Sequence, residues 1–393
     1  MAALSLLEIN EAPQADEIRH PPPEGVSQLG SGPSLIGDST AWDARLARSP
    51  QATLFCSTPF LKALGCRYRL FEVRDGQRVV ALLPVTEDDC GERVLPQPFT
   101  PYQGLLFLHE AASAKRQRVL DEFRIGECVA AELASRYREV RLPLSWQVLD
   151  LRPFLWHKYH DLDASHFQLT PRYTALLDLA GVDEADIPLQ ARACRRQELR
   201  KAAAFELRDD ITVDEFLALY RQTFARQDIG LSEATLALVR RITEAALTQG
   251  WGRLSGCITP QGLAAATLFT FDHARSYYLF SANDPAQRNS GAATRLMFDN
   301  ILDAKRRGLA ELDFVGVNSP ARGDFKLSFN PALKMYFELH HVQASVARPV
   351  HSKPDDDAHL RAVTEVGSSA SLGASAVLAT HAALHLEAAA ASV

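Results

Sequence analysis

The chain has 393 residues, 47% of them hydrophobic, which is long enough for two domains around substantial cores. Its formal net charge of -6 argues against broad, non-specific binding to nucleic acid or to an anionic membrane. Six scattered cysteines lack the spacing of a zinc site and fit a reduced environment. We therefore expect a cytoplasmic protein with no metal centre and no membrane span, since no stretch approaches the roughly 18 consecutive apolar residues that a span requires.

The two ends of the chain differ in composition from its middle. Residues 1–40 are rich in Pro, Gly and Ser and lack periodicity, so we predict a disordered leader. Residues 344–393 are rich in Ala and Ser and predict a low-complexity tail. The predicted folded body divides into an N-terminal lobe, 41–170, and a C-terminal lobe, 171–343.

Within this body one pattern occurs twice. Residues 68–98 predict three short strands, followed by a helix over 113–137 and a strand over 139–145. About 180 residues later, strands over 252–259, 262–271 and 275–283 precede a helix near 290–307 and a strand over 309–316. The fold class predicted from this repeat is α/β, with mixed, mostly antiparallel sheets flanked by helices.

Between the copies, "LQARACRRQELRKAAAF" predicts a basic helix with Arg192, Arg195 or Arg196, and Arg200 on one face. Either this face is exposed to solvent, with its positive charge partly neutralised by Glu198, or it faces a phosphate. Two amphipathic helices follow, over 214–227 and 231–247, and are expected to cover one side of a sheet.

The junction of strand and helix in the second copy reads "QRNSGAA". Unpaired backbone amides of the first helical turn can bind a phosphate, and a glycine at position 291 places no Cβ in the way. We therefore predict a pyrophosphate-binding loop, although an ordinary turn supported by a glycine is an alternative. The predicted loop residues are Arg288, Asn289, Ser290, Gly291, Ala292 and Ala293.

The succession of strand meander, "QRNSGAA" loop, helix and "LDFVG" strand resembles the GNAT acyltransferase fold. The doubled plan, "RRQELRKAAAFEL" and "FKLSFN" resemble the Fem-type aminoacyl transferases and the related N-acyltransferases of bacterial envelope and exopolysaccharide gene clusters. The resemblance covers about 41–343 and extends to "DLRPFLWHKY", "RYTALLDL" and "GVNSPARGDFKLSFN". It implies two tandem GNAT-like lobes, acyl-CoA (acetyl-CoA) as a co-substrate with no permanently bound cofactor, and an amine acceptor on a sugar, sugar nucleotide or peptide precursor.

The first copy has no matching loop, so donor binding is assigned to the second copy and half of an acceptor groove to the first. Tyr102, Arg152 and Tyr159 supply aromatic and charged groups suited to a sugar or peptide, and they are the predicted acceptor-binding residues of the first copy. Asn318 and Arg322 are predicted to bind the acceptor from the second copy. Phe154 and Trp156 instead fit core packing.

Acyl transfer to an amine requires a base for the ammonium proton and stabilisation of the oxyanion. Asp313 is the predicted base, in the strand after the donor helix, where the resemblance places an opening between two strands for the thioester. Tyr278, or its neighbour Tyr277, is the candidate that protonates the leaving thiolate. A turn after Asp313 would return Lys326 to the reacting end, although an exposed lysine on a short helix is the alternative.

Two other functions fit the same sequence. One is an aminoacyl-tRNA-dependent transferase of the Fem type, in which the basic helix would meet RNA; tRNA is a partner only under this alternative. The other is a non-catalytic module that binds a glycan or peptide. The loop around Gly291 favours CoA as the donor. The chain also lacks the large basic surface that would favour tRNA. The sequence does not indicate an oligomeric state.

Overall fold

The computed structural model describes residues 4–9, 39–109, 115–225 and 230–344. The predicted tail lies outside this part of the chain except for residue 344, and so do residues 1–3 and 10–38 of the predicted leader. Residues 4–9 correct the prediction of a disordered leader, because they form a strand that pairs antiparallel with residues 70–75.

The first half of the chain follows the predicted order of strands, helix and strand. A turn at Asp75–Gly76 joins the second and third strands, and Gly76 adopts the left-handed backbone (φ 61°) that glycine accommodates best. The elements are β1 (Leu4–Ile9), α1 (Ser39–Leu46), α2 (Thr58–Leu64), β2 (Tyr68–Asp75), β3 (Arg78–Thr86), β4 (Arg93–Val94), β5 (Leu106–Phe107), α3 (Lys115–Arg136), β6 (Glu139–Pro143) and α4 (Arg152–Leu155).

The second half begins with a long strand and returns to the same plan. Ser232 caps one of its helices by accepting a hydrogen bond from the amide of Thr235. The elements are β7 (Gln168–Asp178), α5 (Ile187–Gln190), α6 (Ala193–Lys201), β8 (Glu206–Arg208), α7 (Val213–Ala225), α8 (Glu233–Thr248), β9 (Gly252–Thr259), β10 (Gly262–Phe271), β11 (Arg275–Asn283), α9 (Ala292–Arg306), β12 (Glu311–Asp313), α10 (Pro320–Leu327) and β13 (Ala332–Val342).

The strands form two sheets, one of which spans both halves of the chain. The smaller sheet has the order β1-β2-β3-β5, and the larger has the order β4-β6-β13-β7-β12-β11-β10-β9-β8. Strand β13 pairs antiparallel with β7 and with β6. The predicted lobe boundary at residue 170 falls inside β7, so the two predicted lobes share a continuous sheet.

Aromatic side chains from both halves also meet in one core. The Phe55 ring lies 5.1 Å from the Tyr277 ring, and the Phe99 ring lies 4.8 Å from the Phe280 ring. All four side chains are fully or almost fully buried. These contacts fix the first half of the chain against β11, which borders the candidate site.

Candidate active site

Strands β11 and β12 separate after a short parallel pairing. They pair from Arg275–Glu311 to Tyr277–Asp313, where β12 ends, while β11 continues to Asn283. Leu279 interrupts the register of β11 with β10, as at a β-bulge. Beyond Tyr277 the backbone of β11 is therefore not paired with β12, and a slot opens between the two strands at the C-terminal end of β12.

Asp313 is completely buried at the start of this slot. Its Oδ1 accepts hydrogen bonds from the Thr174 hydroxyl at 2.6 Å and from the Val315 amide at 2.8 Å. Its Oδ2 has no hydrogen-bond partner in the part of the chain that the structure describes. Burial raises the pKa of the Asp313 carboxyl to about 6, although the Thr174 and Val315 hydrogen bonds oppose the increase. The side chain is thus oriented through one oxygen and has the other available for a proton.

The side chain of Tyr102 reaches Asp313 from the first half of the chain. Its ring packs 4.9 Å from those of Trp146 and Tyr336, and it is fully buried. Its hydroxyl has no hydrogen-bond partner within the described residues. Burial and the nearby Asp313 charge raise the pKa of Tyr102 well above its usual value, so the hydroxyl keeps its proton at neutral pH. The Tyr102 hydroxyl and the Asp313 carboxyl, which come from different halves of the chain, therefore lie close enough in the same buried region to affect each other's protonation.

Two positioning residues of this site were missed by the sequence reasoning. Besides its bond to Asp313, the Thr174 hydroxyl accepts a hydrogen bond from the Gly316 amide at 3.2 Å. The Arg275 guanidinium pairs with Glu311 at 2.6 Å, and its positive charge lowers the pKa of Asp313. A threonine in a strand and an arginine at a strand start carry no local signal of these roles.

Lys326 is buried, which rules out the alternative of an exposed lysine on a short helix. Its Nζ donates to the carbonyls of Val315 at 2.9 Å and Gly316 at 3.0 Å, and it lies 5.5 Å from the centre of the Tyr278 ring. Val315 and Gly316 both have positive φ angles, 51° and 71°. A β-branched residue rarely adopts this conformation, so the lysine fastens a strained loop that also carries the amide bound by Asp313.

Tyr278 and Asp313 lie on opposite faces of the sheet. Tyr277 is the register partner of Asp313, and successive side chains of a strand alternate in direction. Tyr278 instead packs with Phe269 and Phe314 in a separate core, and burial raises its pKa to about 12. The Tyr277 hydroxyl donates to Asp272 at 2.5 Å. The structure therefore does not bring either tyrosine hydroxyl together with the unpaired oxygen of Asp313.

The predicted pyrophosphate loop lies between β11 and α9. Gly291 is the N-terminal cap of α9, with φ 89°. The amides of Gly291, Ala293 and Thr294 have no hydrogen-bond acceptor among the described residues, as is usual for a first helical turn. The structure shows a second reason for a glycine here: a Cβ at position 291 would lie 2.7 Å from the Glu198 carbonyl oxygen of α6, so the glycine allows this helix to pack closely.

Helix α6, the predicted basic helix, packs directly on this loop. Lys201 donates to the Asn289 carbonyl at 2.6 Å, and Arg195 donates to the Thr294 hydroxyl at 3.0 Å. Arg200 and Arg288 are exposed beside the same loop region. Glu198 partly neutralises this basic face, as one alternative predicted, by pairing with Arg195 at 2.7 Å. The same face borders the predicted anion site.

Two of the remaining predicted acceptor residues, Arg152 and Tyr159, make no contact with Asp313 in the described residues. Arg152 pairs with Asp150 at 2.5 Å, and Tyr159 is 62% exposed. Asn318 both accepts from the Tyr173 amide and donates to the Tyr173 carbonyl, so it ties the loop to β7. The side chain of Arg322 lies outside the described residues.

The described residues contain neither a metal-binding cluster nor a membrane-spanning helix. No group of three or more His, Cys, Asp or Glu side chains there is arranged to hold a metal ion. None of the helices in the same residues combines the length and apolar character needed to cross a membrane.

Comparisons with known proteins agree with this geometry. Residues 190–327 match the family model described as an acetyltransferase (GNAT) domain. No curated protein sequence matches the chain. Among solved structures, that of FemX superposes with a TM-score of 0.56 at 12% identity, covering 76% of this chain and 95% of FemX.

Two further solved structures superpose less closely. A tandem GNAT protein from the clavulanic acid biosynthesis pathway gives a TM-score of 0.44 at 16% identity, covering 81% of this chain and 94% of that one. L-PGS from Bacillus licheniformis gives a TM-score of 0.44 at 14% identity, covering 79% of this chain and 93% of L-PGS. The matched domain contains α6, the loop around Gly291, Asp313 and Lys326. Residues 190–327 therefore form a GNAT acetyltransferase domain, and the chain as a whole has a fold similar to that of FemX.

Proposed function

We propose that the protein is an N-acyltransferase that moves an acyl group, in the simplest case acetyl, from acyl-CoA to an amine. The acceptor is a sugar, sugar nucleotide or peptide precursor used in envelope or polysaccharide biosynthesis in the cytoplasm. The observation that carries the proposal is the unpaired Oδ2 of Asp313, buried beside the unpaired hydroxyl of Tyr102 where β11 and β12 separate. Buried polar atoms rarely lack partners, so this pair has the character of a ligand position.

On the acceptor side, Asp313 is the base. An amine reaches the site as an ammonium ion, and a carboxylate with a pKa near 6 is ionised at neutral pH yet basic enough to accept its proton. Thr174 and the Val315 amide hold Oδ1, which leaves Oδ2 to take the proton. Tyr102 keeps its own proton and orients the amine by a hydrogen bond. The free amine then attacks the thioester carbonyl, and the tetrahedral intermediate collapses with release of the CoA thiolate, which takes up the second proton lost by the nitrogen.

On the donor side, the loop from Arg288 to Ala293 holds the pyrophosphate through the free amides of the first turn of α9. The unpaired backbone of β11 beyond Tyr277 receives the thioester arm. Lys326 acts through the loop of Val315 and Gly316 and keeps Asp313 in place, which makes it a positioning residue in this scheme. Tyr278 as the acid for the leaving thiolate remains a prediction.

The test is acyl transfer by the full-length chain from acetyl-CoA, followed by release of free CoA and by mass spectrometry of the acceptor. Glucosamine, a UDP-linked amino sugar and an alanyl-lysine peptide are the acceptors. Transfer should require Asp313, with Asp313→Asn inactive and the exposed Asp89→Asn as the matched control. Transfer from aminoacyl-tRNA but not from acetyl-CoA would show that aminoacyl-tRNA is the donor. Absence of transfer from both would support a non-catalytic binding module.

A further inference from the structure

An open groove on the first half of the chain has no part in the chemistry above. It encloses about 800 Å³ and is lined by Trp156, Lys158, Tyr159, His160 and Asp161, which follow α4. The Trp156 side chain is 50% exposed and the Tyr159 side chain 62% exposed. Two large aromatic side chains exposed on one groove mark a binding surface more often than single scattered ones do.

The segment that carries the groove is fixed from inside. Phe154 is buried against Phe167 with ring centres 5.5 Å apart, and His157 packs on Phe167 at 5.7 Å and His341 at 6.2 Å. Between these inward side chains the backbone reverses at Lys158, which has a φ of 53°. The outward residues are therefore presented by a turn with a packed base.

The exposed rings are themselves held in place. Trp156 meets the Phe123 ring of α3 edge-on at 5.7 Å, and the Arg152 guanidinium lies 5.4 Å from its centre. Asp150 pairs with this arginine and fixes it. Tyr159 packs edge-on against His160 at 5.3 Å. A ligand that stacks on these rings thus loses little free energy to ordering them.

The chemistry of the lining distinguishes between classes of ligand. A pyranose ring has an apolar face that stacks on an aromatic ring and a rim of hydroxyls that requires donors and acceptors. Here Lys158 and His160 provide donors, and Asp161 provides an acceptor. An anionic lipid surface fits poorly, because residues 149–163 contain two cationic side chains (Arg152, Lys158) against three acidic ones (Asp150, Asp161, Asp163). The core of a protein interface would be depleted of such charges.

We propose that this groove binds sugar units of an oligosaccharide acceptor. The choice of ligand rests on the proposed function, because a saccharide that carries the reacting amine is one of its acceptor classes. No contact of the groove residues reaches Asp313 in the described part of the chain, so the sugars held here are remote from that amine. Stacking by two rings gives the protein a preference for oligomers over single sugars.

The test is calorimetric titration of the full-length protein with chitotetraose, its fully de-N-acetylated form and cellotetraose. At least one tetramer should bind, and Trp156→Ala should weaken that binding by about tenfold or more, equivalent to roughly 1.4 kcal/mol. Tyr159→Ala is the second variant, since its side chain is largely exposed and the substitution should not disturb folding. Leu162→Ala removes a 91% exposed apolar side chain outside the groove and should bind like the wild type.

Two results would overturn the inference: failure of all three tetramers to bind, or equal affinities for the wild type, Trp156→Ala and Tyr159→Ala. Transfer of acetyl to free glucosamine by the wild type, measured in parallel, separates this failure from failure of the proposed function. If transfer is retained but no tetramer binds, only the proposal that the groove binds sugars is refuted. If a tetramer binds but no transfer occurs, sugar binding by the groove stands and the proposed acetylation of glucosamine is refuted.

Discussion

Replacing Asp313 by asparagine should abolish acyl transfer and, at pH 8, make the fold more stable. Burial raises the pKa of the Asp313 carboxyl from its ordinary value of 3.8 to about 6. The folded state therefore binds the proton more tightly than the unfolded chain, so its stability falls as pH rises between these two values. The difference is about two pH units at roughly 1.4 kcal/mol each, which gives a cost of about 3 kcal/mol when the carboxylate is ionised above pH 6.

An asparagine carries no charge and so avoids this cost. Its Oδ1 can accept the same hydrogen bonds from Thr174 and Val315, and its amide group can donate to the hydroxyl oxygen of the neighbouring Tyr102. We expect Asp313→Asn to gain up to about 3 kcal/mol over the wild type at pH 8, and under about 1 kcal/mol near pH 4.

Urea unfolding of both proteins at the two pH values measures this difference, provided that the slopes with denaturant agree. Asp89→Asn, an exposed substitution of the same chemistry, should change stability little at either pH. A destabilised Asp313→Asn at pH 8, or a difference between variant and wild type that is independent of pH, would refute the assignment of a buried, destabilising base.

Three further substitutions test the remaining parts of the site. Gly291→Ala should weaken CoA binding at least tenfold in a thermal-shift titration, because its Cβ would displace α6; Gly308→Ala, which has φ 78° and open space, is the control and should keep wild-type affinity. Lys326→Met should lower single-turnover acyl transfer about 100-fold with CoA affinity retained, because the loop that positions Asp313 would shift, whereas Lys334→Met, exposed on β13, should not. Thr174→Val should raise the pKa of Asp313, because the lost hydroxyl bond lowers it, and should move the acidic limb of kcat/KM above pH 6; an unmoved limb would remove Asp313 as the titrating base.

Local patterns were sufficient to predict the second copy of the strand and helix plan. The predicted strands over 262–271 and 275–283 coincide with β10 and β11, because their breakers, Gly262 and the Asp272–His273 turn, lie in the sequence itself. The tandem GNAT fold was likewise predicted from the sequence. Strand β1 was not, because its pairing with β2 joins residues 61 to 71 positions apart and six residues carry too weak a periodic signal.

The candidate site shows the same division between local and long-range information. Asp313 was identified from its place in a strand after the donor helix. Thr174, however, contacts it across 139 residues of sequence, and no local pattern distinguishes this threonine from others in strands. Composition also gives no indication that Lys326 is buried, because lysines are usually exposed. The reason for Gly291 is similarly remote, since the atom that excludes a side chain belongs to Glu198.

The position of β13 constrains how this chain can reach its native state. Its residues 332–340 pair with β7 and its residues 338–342 pair with β6, and it is the last strand of the described residues. During synthesis, β6 and β7 therefore emerge long before the strand that lies between them, and their facing edges stay unpaired until residue 342 has left the ribosome. Such late, long-range closure slows folding and exposes strand edges to aggregation. A fragment ending at residue 327, where the matched GNAT domain ends, would keep Asp313 and Lys326 but lack the strand that joins the two halves of the sheet.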